Sequence, residues 1–159
     1  MSRLSKFSRS IKGKIVLVTG AASGMGMATA ELFSDEGAVV MVSDLDQKSI
    51  DNVVNKIKKN GNYADGHILD VSNKKNIKNV VKNITDKYGV IDILINNAGI
   101  ALPTSIDNND FEAYWDKTHN ILLKGQVMLI RECLPFIEKS DTPRIVNISS
   151  TEGLGASPM

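Results

Sequence analysis

The sequence predicts an α/β fold, a doubly wound parallel sheet with helices packed on both faces. Three observations carry this expectation. From Lys14 onward, short β-branched runs alternate with amphipathic stretches, the pattern of repeated strand–helix–strand units. Those runs are continuously apolar, as strands covered on both faces must be. The first of them feeds a glycine-rich turn, Thr19-Gly20-Ala21-Ala22-Ser23-Gly24-Met25-Gly26, which opens directly onto a helix.

Taken in order, Ile15-Val16-Leu17-Val18 is the first strand, and a run of Ala, Thr, Glu and Leu after Gly26 is the first helix. Val39-Val40-Met41-Val42 is the second strand and closes on Asp44. Ile50, Val53, Val54 and Ile57 then follow the i, i+3, i+4, i+7 rule of a helix with one buried stripe. Lys56, Lys58 and Lys59 finish that helix before Gly61, where cations suit the dipole and a glycine can close the turn, so the lysine run reads as a solvated helix end. Residues 62–69 form a weaker third strand, and Ile77, Val80, Val81 and Ile84 repeat the helical stripe. Ile91 to Ile95 and Ile145 to Ile148 are the fourth and fifth strands. Between them, residues 112–138 place Trp115, Leu122, Leu123, Val127, Leu129, Cys133 and Phe136 around most of a long helix. One face is expected on the sheet and another on a partner; a fully enclosed core helix is the alternative.

A chain of 159 residues suits one domain with a single core. Hydrophobic residues at 42% and charged ones at 23% are ordinary globular usage, and Lys+Arg 19 against Asp+Glu 18 leaves +1, which points to no nucleic acid and no acidic partner. Cys133 is the only cysteine, so neither an intramolecular disulfide nor a thiolate metal pair is possible, and a cytoplasmic, reducing setting fits best. His67 and His119 lie far apart in the chain and read as surface or capping residues; no metal is assigned. No window approaches the ~18 apolar residues of a membrane span. Residues 1–13 carry Arg3, Lys6, Arg9 and Lys12 with several serines, a composition shared by organelle transit segments and frayed basic tails, and the tail reading is taken. Residues 14–159 are then the folded unit.

The glycine turn lets a pyrophosphate approach the main chain, whose free amides and helix dipole face the negative charge. Its glycine spacing is not the common G-x-G-x-x-G, but the turn has a companion. Asp44 ends the second strand eighteen residues after Gly26, where a carboxylate accepts hydrogen bonds from a ribose diol. The same carboxylate repels a 2′-phosphate, and no cation stands at Ser23 or Leu45 to receive one. The expected cofactor is NAD.

Thr19 to Gly26 as TGxxxGxG, Asp44, Asp70-Val71, Asn96-Asn97-Ala98-Gly99, Asn120 and Ile148-Ser149-Ser150 stand in order along the chain, and together they resemble the classical short-chain dehydrogenase/reductase family. The resemblance implies a Rossmann-like sheet in the order 3-2-1-4-5, with a cofactor crevice where the order reverses. It implies that Gly20, Ser23, Gly24, Met25 and Gly26 surround the cofactor phosphates, that Asp44 holds the adenosine ribose, and that Asp70 and Val71 lie beside the adenine. Asn97, Ala98 and Gly99 line the nicotinamide-side ribose, Asn120 kinks the long helix and positions a relay water, and Ser150 hydrogen-bonds the oxygen of an alcohol or carbonyl substrate. A homo-oligomer through the 112–138 helix is expected of the complete enzyme.

Alcohol–carbonyl chemistry moves a hydride at carbon and a proton at oxygen, so the site needs a cofactor, an oxygen holder and a general acid/base. In the family that last role belongs to the tyrosine of Tyr-x-x-x-Lys, whose lysine lowers a phenol pKa of about 10 toward neutrality. Four residues after Tyr63, Tyr88 and Tyr114 come His67, Asp92 and Thr118, so the motif is absent from this chain. The chain is therefore expected to be truncated after the fifth strand and inactive alone; a non-catalytic dinucleotide-binding or partner-binding module is the alternative. No histidine follows Ser150, so a hydrolase triad is implausible.

Overall fold

The computed structural model describes residues 10–151. The elements alternate as expected: β1 (Ile15–Thr19), α1 (Gly24–Asp35), β2 (Val39–Asp44), α2 (Gln47–Lys59), β3 (Tyr63–Ile68), α3 (Lys74–Tyr88), β4 (Ile93–Asn96), α4 (Phe111–His119), a π-helical turn (Asn120–Gly125), α5 (Gln126–Ile137) and β5 (Arg144–Asn147). The strands form one parallel sheet in the order β3-β2-β1-β4-β5, the order expected. Chain order reverses between β1 and β4, and there the helices change sides.

Alternation along each strand divides the core. Leu17, Met41 and Leu94 point to one face and pack with Ile77, Val81 and Ile84 of α3 and with Leu129, Cys133 and Ile137 of α5. Val16, Val18, Val40, Val42, Ile93 and Ile95 point to the other, against Ala30 of α1 and Ile50, Val53, Val54 and Ile57 of α2. That is why β1 and β4 read as unbroken apolar runs rather than alternating ones. Side-chain caps fix the starts of two helices: Asp46 accepts from Ser49 N–H (2.8 Å) at α2, and Asn73 accepts from the Lys75 and Asn76 N–H groups at α3. Lys56, within the lysine run, reaches back to Glu31 (2.7 Å) and ties α2 to α1.

The far end of the sheet is closed by one buried carboxylate. Asp92, 5% exposed, accepts from Ile15 N–H (2.8 Å) and from the Ser140 hydroxyl (2.5 Å), and it pairs with Lys14 (3.4 Å). Lys14 also bridges to Asp141. This network joins β1, β4 and the turn leading into β5.

The long helix departs from a single α-helix. It runs from Phe111 to Ile137 but widens into the π turn at Asn120–Gly125, and Gly125 is buried with its Cα so near the Val71 carbonyl that a Cβ would come to 2.8 Å. One face packs, through Leu129, Cys133 and Ile137; the opposite face leaves Trp115, Leu123, Val127 and Leu134 exposed. Among the described residues β5 has a neighbour on one side only, and its Ile145 and Val146 are 37% and 42% exposed. The basic tail falls mostly outside the described residues; within them, Ile11 packs on the α1–α2 face and Gly13 N–H donates to the Gly37 carbonyl (2.8 Å). None of the helices in the described residues is long and apolar enough to cross a membrane.

Candidate active site

An open cleft of about 1000 Å³ lies outside the carboxyl ends of the strands, at the reversal of strand order. Its wall contains Gly20, Ser23, Gly24, Met25, Asp44, Asp70, Val71, Asn97, Ala98, Gly99 and Ser150. Thus eleven of the thirteen residues singled out in the sequence meet around one space. Gly26 is buried against Gly20, and neither it nor Asn120 is in the wall.

The glycine turn is held from both sides. Ala21 N–H donates to the Ser43 carbonyl (2.9 Å) and Ala22 N–H to Asp44 Oδ2 (3.0 Å), so the acid ending β2 also anchors the turn after β1. Its other oxygen accepts from Leu45 N–H (2.7 Å). Gly20 has φ +63, and a Cβ on Gly26 would lie 2.0 Å from the Gly20 carbonyl oxygen, which explains why the turn admits glycine at both positions. At the start of α1, Ser23 makes no side-chain capping bond, unlike the caps of α2 and α3. The first amides of α1 therefore face the cleft without an intrahelical partner, as a phosphate cradle requires.

Thr19 is the keystone of the middle of the site and carried no assigned role in the sequence. Its buried hydroxyl donates to the Ile95 carbonyl (3.3 Å) and accepts from the Asn97 and Ala98 N–H groups (3.0 and 2.9 Å). Asn97 Nδ2 returns to the Thr19 and Gly20 carbonyls (2.9 and 3.2 Å), so the two strand ends at the reversal are laced together. Asp70 accepts from the Ser72 N–H and hydroxyl (2.9 and 2.6 Å), while Asn76 Oδ1 receives Asp70 N–H (2.6 Å).

On the β5 side, Asn96 Nδ2 donates to Asn147 Oδ1 (2.8 Å) and Ile148 N–H to the Asn96 carbonyl (2.9 Å), which carries Ser149 and Ser150 into the wall. Asn120 begins the π turn, and its Oδ1 accepts from Lys124 Nζ (3.3 Å). The wall positions of that turn belong to Ile121, Leu122 and Leu123, followed by Gln126. Sequence reasoning had no means to find these, because an α-helical wheel does not predict which side chains a π turn presents.

Among the described residues no tyrosine lines the cleft. Tyr63 is exposed on edge strand β3, Tyr114 lies on α4, and the Tyr88 hydroxyl donates to Asp65 (2.7 Å) at the end of α3. Burial and that carboxylate raise the Tyr88 pKa, the reverse of what a base working near neutrality needs. Among the described residues no group of three His, Cys, Asp or Glu side chains is arranged to hold a metal.

The family model described as short chain dehydrogenase matches residues 14–159. The chain is 38% identical over 151 residues to a 3-oxoacyl-acyl-carrier-protein reductase of Thermotoga maritima, covering 93% of this chain and 60% of that protein. It is 34% identical to tropinone reductase-like 3 of Erythroxylum coca, covering 96% of this chain and 59% of the relative. It is also 34% identical to the short-chain dehydrogenase/reductase SDRA of Arabidopsis thaliana, covering 93% and 58%. The chain thus spans about three-fifths of the length of these curated relatives.

Proposed function

The chain belongs to the short-chain dehydrogenase family, and from that premise we propose that it supplies the NAD-binding and oxygen-holding parts of an oxidoreductase interconverting an alcohol and a carbonyl. The observation that carries the choice of cofactor is Asp44. Its carboxylate stands at the end of β2, bonded to the glycine turn, where a ribose diol can donate to it and a 2′-phosphate would meet its charge.

In this reading the uncapped start of α1, with Gly20, Ser23, Gly24, Met25 and Gly26, receives the pyrophosphate, and Asp70 and Val71 border the adenine. Asn97, Ala98 and Gly99 flank the nicotinamide ribose. NAD supplies the hydride acceptor or donor. Ser150 holds the substrate oxygen, and Asn120 contributes through the shape of the π turn it begins, since its side chain is turned to Lys124. The placement of all three tyrosines outside the cleft favours a chain that binds the dinucleotide without catalysing turnover alone, and the same observation keeps a purely dinucleotide-binding or partner-binding role as the second reading. The exposed face of the 111–137 helix is the surface offered to a second copy, and a lone, buried Cys133 suits the reducing cytoplasm.

Titration calorimetry with NAD and NADP tests the reading. NAD is expected to bind at least about ten-fold tighter, a difference of ~1.4 kcal/mol, and Asp44→Ala to narrow the gap. Equal or tighter binding of NADP overturns the assignment.

A further inference from the structure

We propose that Met25 is an oxidation switch on the cofactor cleft: a hydroperoxide converts its thioether to the sulfoxide, and the sulfoxide disfavours the dinucleotide. The proposal rests on the NAD-binding reading above. Met25 stands in the cleft wall at the second position of α1 and is 69% exposed. Gly24 and Gly26 flank it, so neither chain neighbour has a side chain to shield the sulfur.

The other sulfur atoms of the described residues are withdrawn from solvent. Met41 is wholly buried in β2, and Met27 and Met128 are partly buried against the two cores. Cys133 is fully buried, and that burial pushes its thiol up to about 12, which withholds the thiolate that a peroxide attacks.

The step balances with the peroxide as its one co-reactant. A sulfur lone pair attacks one peroxide oxygen, the S–O bond forms as the O–O bond breaks, and the second oxygen leaves as water with the proton of the first; sulfur gives up two electrons and the peroxide takes them. The product alters the polarity of the cradle. Met27 N–H donates to the Ser23 carbonyl (3.0 Å) as the first rung of α1, so the amides of Gly24, Met25 and Gly26 come before the helical ladder and are the donors a pyrophosphate needs. A sulfoxide oxygen on Met25 is an acceptor tethered beside those amides. It competes with a phosphate for them and turns the negative end of its dipole toward the incoming anion, where the thioether offered only a flexible apolar surface.

Hydrogen peroxide treatment of the 159-residue chain, with and without saturating NAD+, followed by peptide mass spectrometry and NAD+ calorimetry, tests this. Met25 is expected to oxidise at least about five-fold faster than Met27, Met41 and Met128, bound NAD+ to slow it by a similar factor, and the oxidised chain to bind NAD+ about ten-fold more weakly. Met25→Leu, which keeps a similar bulk and has no sulfur, is expected to bind NAD+ like the parent and to hold that affinity after peroxide, which separates Met25 from Met1 and Met159. Methionine sulfoxide reductase should restore the parent's affinity as the Met25 sulfoxide disappears. Unchanged NAD+ affinity with Met25 oxidised overturns the proposal and leaves the NAD-binding reading standing. So does Met25 oxidation that saturating NAD+ fails to slow, or a loss of affinity on peroxide treatment in Met25→Leu equal to the parent's. If Met25→Leu by itself weakens NAD+, the reductase arm decides, and no recovery as the Met25 sulfoxide is reduced overturns the proposal. Failure of NAD+ to bind the untreated parent chain overturns the NAD-binding reading and this proposal with it.

Discussion

His67 sits on edge strand β3 with its Nε2 buried and unpartnered, and burial, working against the nearby Asp65, pulls its pKa below 6.5. The folded chain therefore holds fewer protons on this ring than the unfolded chain does once the pH drops below 6.5, so stability falls as the solution is acidified through that window. Asp65 beside it acts at a lower pH. Burial alone would raise its pKa, but hydrogen bonds from Lys87 and Tyr88 outweigh burial and leave it below 3.8, so the stability it contributes is lost only below about pH 4. The expected outcome is a melting temperature that declines between pH 7 and pH 5, with a shallower decline in His67→Leu. An identical slope in the two proteins would remove His67 from the account. The sequence reads His67 as a surface or capping residue, and the histidine alone carries no sign of its half-buried place on β3 beside Ser43 of β2. Thr19, by contrast, was visible as part of a motif, while its role as the acceptor of two backbone amides depends on β1 and β4 being neighbours.

Elements are joined here by a few polar clamps, and Asp92 is the one whose loss is easiest to read. Removing its carboxylate leaves Ile15 N–H without its acceptor and frees Ser140 and Lys14. Asp92→Ala is expected to cost about 1–3 kcal/mol, measured as a lower urea midpoint, because a buried amide loses its only partner. A midpoint within error of the parent would mean that solvent reaches the amide. The strands and helices are legible in the sequence because periodicity is a local property: an apolar stripe at 50–57 or 77–84 needs no knowledge of the partner it packs on. The resemblance places a kink at Asn120, where the π turn begins, but the π-helical form of that kink is not legible, because Asn-Ile-Leu-Leu-Lys-Gly is compatible with ordinary α-helix. At the end of the turn Gly125 lies so close to the Val71 carbonyl, across the fold, that a Cβ there would come to 2.8 Å.

At the scale of the molecule, the sheet is well sealed at its centre and, among the described residues, open at β5. Ile93, Leu94 and Ile95 of β4 are buried, whereas Ile145, Val146 and Ile148 are 37%, 42% and 39% exposed beside the outer backbone groups of β5. An apolar parallel edge is a template for pairing with another chain, and exposed apolar side chains strengthen the contact. Purified 1–159 is therefore expected to elute as oligomer or aggregate in size-exclusion chromatography and to oxidise no NADH with a panel of ketones; Val146→Lys should shift the profile toward monomer. Clean monomeric behaviour of the parent chain together with measurable NADH oxidation would overturn both expectations.

The order of elements, the glycine turn and Asp44 were legible in the sequence through short-range rules: strand and helix periods, glycine at a tight turn, and an acid at a strand end; Asp70, Val71, Asn97, Ala98, Gly99 and Ser150 were singled out only through the resemblance to the family. Tertiary structure decided the rest. Asp44 braces Ala22 because β2 lies beside β1, Thr19 joins two loops because β1 lies beside β4, and within the π turn Leu122 rather than Asn120 lines the cleft. Each of these contacts spans parts of the chain that no local pattern connects, and only the packing of one strand against the next brings them within bonding distance.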